Sequence, residues 1–132
     1  MKRNIEYYDS LTGLQTKELF FDSLTRILAY AKGNKKIVAV LFICVDRLKL
    51  INDKLGEIYG NKLLKDLAKR LARYVRKGDI LARHGRNEFA ILLHDIRNAE
   101  DAALVARKIL TVIDTPFILK KRKWLVSVSV GI

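Results

Sequence analysis

The chain has little with which to lock itself covalently or to punctuate its path. Its 132 residues include one cysteine (Cys44), one proline and one tryptophan. A single thiol excludes a disulfide framework and suits a reducing, cytosolic setting. With seven glycines and that one proline there is no Gly- or Pro-rich linker, and no internal repeat, low-complexity tract or second domain is visible. No apolar run approaches the roughly 20 residues of a membrane span. The opening MKRNIEYYDS has no apolar core of a secretory signal. Acidic residues are scarce, 14 against 26 Lys and Arg, which leaves a net charge of +12. That excess points to an anionic partner, whether nucleotide, nucleic acid or membrane surface, or to a merely solvated basic surface.

What is present suits one domain, since half of the residues are hydrophobic. Residues 1–8 read as a linker or the end of a preceding helix, and Asp9 to Leu14 as a compact turn around Gly13. Thr16 is placed to cap a helix whose apolar face is Phe20, Leu24, Ile27, Leu28 and Ala31, ending at Gly33-Asn34. Ile37 to Val45 is nine apolar residues without alternation, which predicts a central strand buried on both faces. Asn52 to Gly56 reads as a polar loop. A helix is expected over about Gly60 to Val75, with Leu63, Leu64, Leu67, Leu71 and Val75 inward and a basic stripe of Lys62, Lys65, Lys69, Arg73 and Arg76. Asn98, with Asp101, opens a further helix with core positions Ala102, Val105, Ala106, Ile109 and Ile113, stopped at Thr115-Pro116. Phe117–Leu119 and Trp124–Val130 read as strands around the basic turn Lys120 to Lys123.

The organising stretch is ILARHGRNEFAILL, Ile80 to Leu93. It reads as a hairpin: two apolar runs around the polar insert His84-Gly85-Arg86-Asn87. With the elements around it, the order gives an α/β (α+β) fold of split βαβ, ferredoxin-like type: an antiparallel sheet with helices packed on one face. The domain is expected over 9–132, and, as the chain stops directly after a strand, a helix that would finish covering the sheet is expected to be missing.

Gly85-Arg86-Asn87-Glu88-Phe89 resembles the Gly-Gly-Asp/Glu-Glu-Phe signature of the GGDEF (diguanylate cyclase) family, matching its first, fourth and fifth letters. Five other segments resemble that family in order. Asp9 to Leu14 is similar to its Asp-x-Leu-Thr-Gly-Leu, and Asp46 to Asp53 to its Asp-x-Phe-Lys-x-Ile-Asn-Asp. Gly60 to Leu64 is similar to its Gly-Asp-x-Leu-Leu, and Arg76-Lys77-Gly78-Asp79 to its Arg-x-x-Asp. Val126 to Gly131 resembles its late strand.

The resemblance implies a nucleotide-cyclase palm-like sheet and a reaction that joins two GTP molecules into cyclic di-GMP across a homodimer. It implies two Mg²⁺ ions held by carboxylates at the positions of Cys44 and Asn87. A thiol and a neutral amide are poor Mg²⁺ ligands, so no metal or other cofactor is expected here. No catalytic set is expected to be intact, because Arg86 also replaces the second glycine. Asn52 and Asn61 fall at the family's guanine-reading positions, with Asn61 replacing an aspartate, so GTP binding is expected to be weak. Arg76 and Asp79, with Arg73 one turn earlier, fall at an inhibitory, product-binding site. The expectation is a catalytically inactive, cytoplasmic cyclic-di-GMP signalling domain that regulates or senses nucleotide, with a phosphodiesterase (EAL) domain on the same parent protein, or a place at the cytoplasmic end of a membrane-attached sensor, as the settings the resemblance implies. A weakly active cyclase using Asp46 and Glu88 is the first alternative. A basic nucleic-acid-binding or protein-interaction module is the second, although no aromatics are interleaved with the basic stripe.

Overall fold

The computed structural model describes residues 7–131. The expected linker at 1–8 therefore lies outside the described residues except for Tyr7 and Tyr8, which bridge to Gln15 and Thr16. A mixed α/β fold is observed. β1 (Gln15–Thr16) leads into α1 (Lys17–Asn34), followed by β2 (Ile37–Val45), α2 (Leu48–Leu55) and α3 (Glu57–Ala72). The hairpin strands β3 (Ile80–Gly85) and β4 (Glu88–Ile96) come next, then α4 (Ala99–Ile113), β5 (Phe117–Leu119), β6 (Arg122–Trp124) and β7 (Val128–Gly131). The main sheet has the order β1-β3-β4-β2-β7, so β2 is interior and the hairpin lies beside it, as its apolar run predicts. β1 pairs with β3 in parallel and the other pairs are antiparallel. Among the described residues no helix is long and apolar enough to cross a membrane.

Alternation along the strands sorts two cores. Leu41, Ile43 and Val45 of β2 and Phe89, Ile91 and Leu93 of β4 meet α2, α3 and α4, with Leu63, Leu67, Ile109 and Ile113 fully buried among them. On the opposite face, Phe20 of α1 packs with Ala82, Ala90 and Leu92, joined by Leu24 and Ile27. Helices therefore cover both faces, which corrects the one-face expectation. β2 is not buried on both faces either, since α1 covers Val38 and Val40 but leaves Phe42 41% exposed beyond its reach. Leu28 likewise lies off the apolar stripe of α1 and is 48% exposed.

Several boundaries also move. The expected loop at Asn52–Gly56 is mostly helix: Leu48 and Ile51 of α2 are buried and Leu55 packs against the same core, a helical spacing hidden behind the polar Asn52-Asp53-Lys54. Gly56, at φ +96°, is the break between α2 and α3. α3 starts and ends three residues earlier than expected, which leaves Arg73 at its C-cap and Arg76 and Val75 beyond it. The hairpin turn is the two residues Arg86-Asn87; His84 belongs to β3, its ring edge-on to Phe21 at 5.4 Å and Phe42 at 5.1 Å. The expected Trp124–Val130 strand splits, with β6 closing a separate hairpin on β5 while β7 joins β2. The expected caps form: Thr16 accepts from Leu19 N, and Asn98 from Asp101 N.

Arg70 ties α3 to the end of α4. Its guanidinium donates to the carbonyls of Thr115 (2.5 Å) and Pro116 (2.8 Å) and lies 3.6 Å over the Phe117 ring. These carbonyls sit just past the α4 terminus, where no helix amide serves them. Replacing Arg70 with Ala is expected to cost about 1–3 kcal/mol in a denaturant titration, and Arg70→Lys to recover less than half, because an ammonium cannot reproduce the fork or the stack.

The turn at Asp9 is the second tie. Its carboxylate accepts from Thr12 N (2.9 Å) and Thr12 Oγ1 (2.7 Å) and from Arg83 Nη1 at 3.3 Å. Burial pushes the Asp9 carboxyl up, but the Thr12 bonds and Arg83 outweigh it and hold it below its usual range. A carboxyl lowered by folding stabilises the fold above its unfolded pKa, and that contribution is lost as pH falls through the folded value. The melting-temperature gap between the unaltered chain and Asp9→Asn is therefore expected at neutral pH, narrowing to nothing as acidification passes below about pH 4. A pH-independent gap would contradict the assignment.

Candidate functional site

The β3–β4 turn is held from behind. Arg83, anchored on Asp9, donates through Nη2 to the Arg86 carbonyl at 3.0 Å. Phe89, the last letter of the signature, is fully buried and anchors the strand after the turn. The antiparallel register of β2 and β4 sets Cys44 opposite Glu88, one residue from Asn87.

Cys44 and Asn87, predicted from the family pattern to share one place, do meet. Asn87 Nδ2 donates to Cys44 Sγ at 3.5 Å and to the Val45 carbonyl at 3.2 Å, while Val45 N donates to the Asn87 carbonyl at 2.8 Å. Burial pushes the Cys44 thiol up, the Glu88 and Asp46 carboxylates push it further, and the Asn87 amide only partly opposes them. The sulfur is thus held as a neutral thiol. Asp46 turns toward β7, where Ser127 Oγ (3.4 Å) and Ser129 Oγ (3.3 Å) donate to it. Among the described residues no group of three or more His, Cys, Asp or Glu could hold a metal ion. The donors at this place, a thiol and an amide nitrogen facing it, do not fit Mg²⁺, which takes hard anionic oxygens.

Below the turn lies a cleft of about 590 Å³, lined by Arg47, Lys49, Asn52, Asp53, Glu57, Arg86 and Asn87 among others. The first turn of α2 opens onto it without a side-chain cap. A recess of about 110 Å³ continues it and brings Asn52 together with Asn61, Gly60 and Arg83. Asn52 Oδ1 is buried there without a hydrogen-bond donor among the described residues. A side chain at position 60 would collide with that same oxygen, which is why a glycine stands in the first turn of α3 despite its helix cost of about 1 kcal/mol. Chemically the cleft offers cations for an anion at its mouth and amides for a polar ring edge at its back. Sequence reasoning found Asn52, Asn61 and Arg86. It missed Arg47, Lys49 and Arg83, whose only signal was basic character on segments already matched, and the packing reason for Gly60.

Arg76 and Asp79 are also brought together, near the opposite end of β4 from the cleft. Arg76 Nε and Nη2 fork onto the Asp79 carboxylate at 2.8 and 3.0 Å, and Nη2 also donates to the His94 carbonyl at 2.8 Å. The Asp79 side chain is 2% exposed and that of Arg76 56%, so the arginine presents its outer face. Its hydrogen bond to Asp79 stabilises the guanidinium charge further, with Asp101 and Asp95 contributing from farther off. Arg76, Asp95, Arg97 and Asp101 line a cleft of about 410 Å³. Arg73 does not join it and lines a different cleft with Arg70, Tyr74 and Thr111.

Comparison with known proteins fits this arrangement. The family model "Diguanylate cyclase, GGDEF domain" matches residues 6–132. Diguanylate cyclase TpbB of Pseudomonas aeruginosa is 36% identical over 127 residues, 96% of this chain and 29% of TpbB. MucR of the same species, a bifunctional diguanylate cyclase/cyclic di-GMP phosphodiesterase, is 34% identical over 125 residues, 95% of this chain and 18% of MucR. The chain thus spans less than a third of the length of these relatives. The solved GGDEF domain of TpbB superposes with a TM-score of 0.91 at 36% identity, covering 94% of this chain and 73% of that one. The GGDEF domain of DgcB from Caulobacter crescentus, solved in complex with c-di-GMP, gives 0.90 over 99% of this chain and 78% of that one; at 23% identity it speaks to the fold alone. With the family model running from residue 6 to the last residue, and the sheet and helices shared with TpbB, this chain belongs to the diguanylate cyclase GGDEF domain family.

Proposed function

We propose that this is a cyclic-di-GMP signalling domain that regulates or senses nucleotide without making the product. The observation that carries the reading is the neutral, hydrogen-bonded Cys44–Asn87 pair where the family pattern has two carboxylates. Two-metal catalysis needs those charges to hold the ions that stabilise the attacking oxygen and the phosphates. Glu88 alone does not replace them, and Asp46 is engaged by Ser127 and Ser129. On this reading no Mg²⁺ is needed, and GTP is held weakly at most, through Asn52 and Asn61 with Arg86 at the mouth of the cleft.

The ligand of the proposed sensing role is cyclic di-GMP at Arg76 and Asp79. Asp79 fixes the guanidinium from behind, and the exposed outer face of Arg76 offers donors in set geometry, which suits a phosphate or the acceptor atoms of a guanine edge. The neighbouring Asp95 and Asp101 oppose a dianion, so the affinity is modest. The partner proposed for such a signal is another domain of the parent protein, a phosphodiesterase domain as in MucR being the first choice, or a second copy of the chain.

Two measurements test this. Incubation of the full parent protein or the domain with GTP and Mg²⁺ or Mn²⁺ is expected to yield no cyclic di-GMP, each lost carboxylate costing on the order of a hundredfold or more in rate. Cys44→Asp, Asn87→Asp and Arg86→Gly are expected to be silent singly and to restore turnover only in combination. Product made by the unaltered sequence and abolished by Glu88→Ala overturns the reading in favour of a weak cyclase. Separately, calorimetric titration is expected to show cyclic di-GMP binding more tightly than a cyclic dinucleotide without guanine, with Arg76→Ala weakening it at least about tenfold. Equal binding of the two dinucleotides, or an unchanged Arg76→Ala titration, removes the site.

A further inference from the structure

The β5–β6 hairpin carries a feature that nucleotide recognition does not use. Its two-residue turn is Lys120-Lys121, with φ of +51° and +62°. Such turns favour Asn and Gly because both positions are left-handed, and a lysine there is strained. Arg122 and Lys123 follow, so four consecutive cations crowd one tip, and all four are exposed. None of them makes a salt bridge or a side-chain hydrogen bond among the described residues. No acidic residue occurs after Asp114 to relieve the charge.

The hairpin is also two-sided. Phe117 and Leu119 are buried, with Arg70 stacked over Phe117, so the inner side is fixed to the core. The outer side pairs Ile118 with Lys123, and Ile118 is 61% exposed. Leu125, two residues past Lys123, is 77% exposed. A strained, self-repelling tip flanked by projecting aliphatic side chains is a place where local stability has been given up, which points to a binding role.

We propose that this hairpin docks on an anionic lipid surface, the four cations among the headgroup phosphates and carboxylates and Ile118 and Leu125 in the acyl boundary. Cations alone would suit any polyanion. The two aliphatic side chains decide for lipid, because a nucleic-acid backbone offers them nothing. The one aromatic of the hairpin's second strand, Trp124, pairs with Phe117 and is half-buried with the core, so no ring projects to stack on a base. The proposal is independent of whether cyclic di-GMP binds at Arg76.

The test is co-sedimentation of the 132-residue chain with phosphatidylcholine vesicles, with and without phosphatidylserine. Association is expected only with phosphatidylserine and should weaken as salt rises. Lys120→Asn with Lys121→Gly relieves the turn strain, so the melting temperature should hold or rise while association falls at least about tenfold. Lys65→Gln with Lys69→Gln removes the same charge from α3 and is expected to change association by less than about twofold. Leu125→Ser should weaken it about fivefold. Equal loss in the α3 and turn variants means diffuse charge attraction and overturns the proposal. So does tighter binding to a DNA duplex that Leu125→Ser leaves unchanged, which assigns the tip to nucleic acid.

Discussion

Cys44 faces Glu88 because β2 and β4 pair antiparallel in a register that the buried rows on both sheet faces enforce. A slip of one residue would turn Leu41, Ile43 and Val45 away from the three-helix side and bring Phe42 and Cys44 into it, exchanging an apolar row for one that contains a thiol. The core therefore fixes where the turn residues Arg86 and Asn87 end up relative to the end of β2. That register places the turn at the cleft, and α2 and α3 supply the rest of its lining. The Arg83 bond to the Arg86 carbonyl and the Asn87 bond to the Val45 carbonyl are what keep the turn from fraying once the strands have placed it.

At this place the electrostatics separate two designs. Two carboxylates a few ångströms apart repel strongly at low effective dielectric, and only bound cations make the arrangement tolerable. A thiol and an amide carry no such conflict, and Asn87 satisfies Val45 O with the same amide that faces Cys44. The turn is thus self-supporting as built, with no dependence on a metal for its geometry. Near the opposite end of β4 the charges are likewise paired within the chain, where Arg76 and Asp79 lock the segment between α3 and β3.

How much of this was legible differs from residue to residue. The nine-residue run of β2, the hairpin beside it and the Thr16 and Asn98 caps were legible because burial period and cap chemistry are local. The meeting of Cys44 with Asn87 was legible through the family pattern, which carries register information that periodicity lacks, whereas the Arg76–Asp79 ion pair follows from two opposite charges three residues apart at a helix-to-strand junction. α2 was not, because its Leu48-Ile51-Leu55 stripe is interrupted by Asn52, Asp53 and Lys54, whose polarity reads as a loop in the absence of tertiary contacts. Nor was the cover of the second sheet face by α1, since an amphipathic helix does not announce which face it chooses. The Trp124–Val130 alternation was real, but period 2 cannot say that a strand changes sheets halfway.

The net charge of +12 needs the same residue-by-residue treatment. Arg70 is held by Thr115 and Pro116 carbonyls, Arg76 by Asp79, Arg83 by Asp9 and the Arg86 carbonyl, and Lys62 by Asp66 at 2.7 Å. These cations already have their hydrogen bonds, so any ligand must compete for them. Lys120, Lys121, Arg122 and Lys123 have no such partners among the described residues and sit at the tip of a hairpin anchored to the core by Phe117 and Leu119. An incoming anion there displaces only water and mutual repulsion, whereas at Arg76 it must share a fork with Asp79. The two surfaces therefore differ in kind: the first offers unpaired charge beside two exposed aliphatic side chains, and the second a guanidinium whose geometry is already set by Asp79 and the His94 carbonyl.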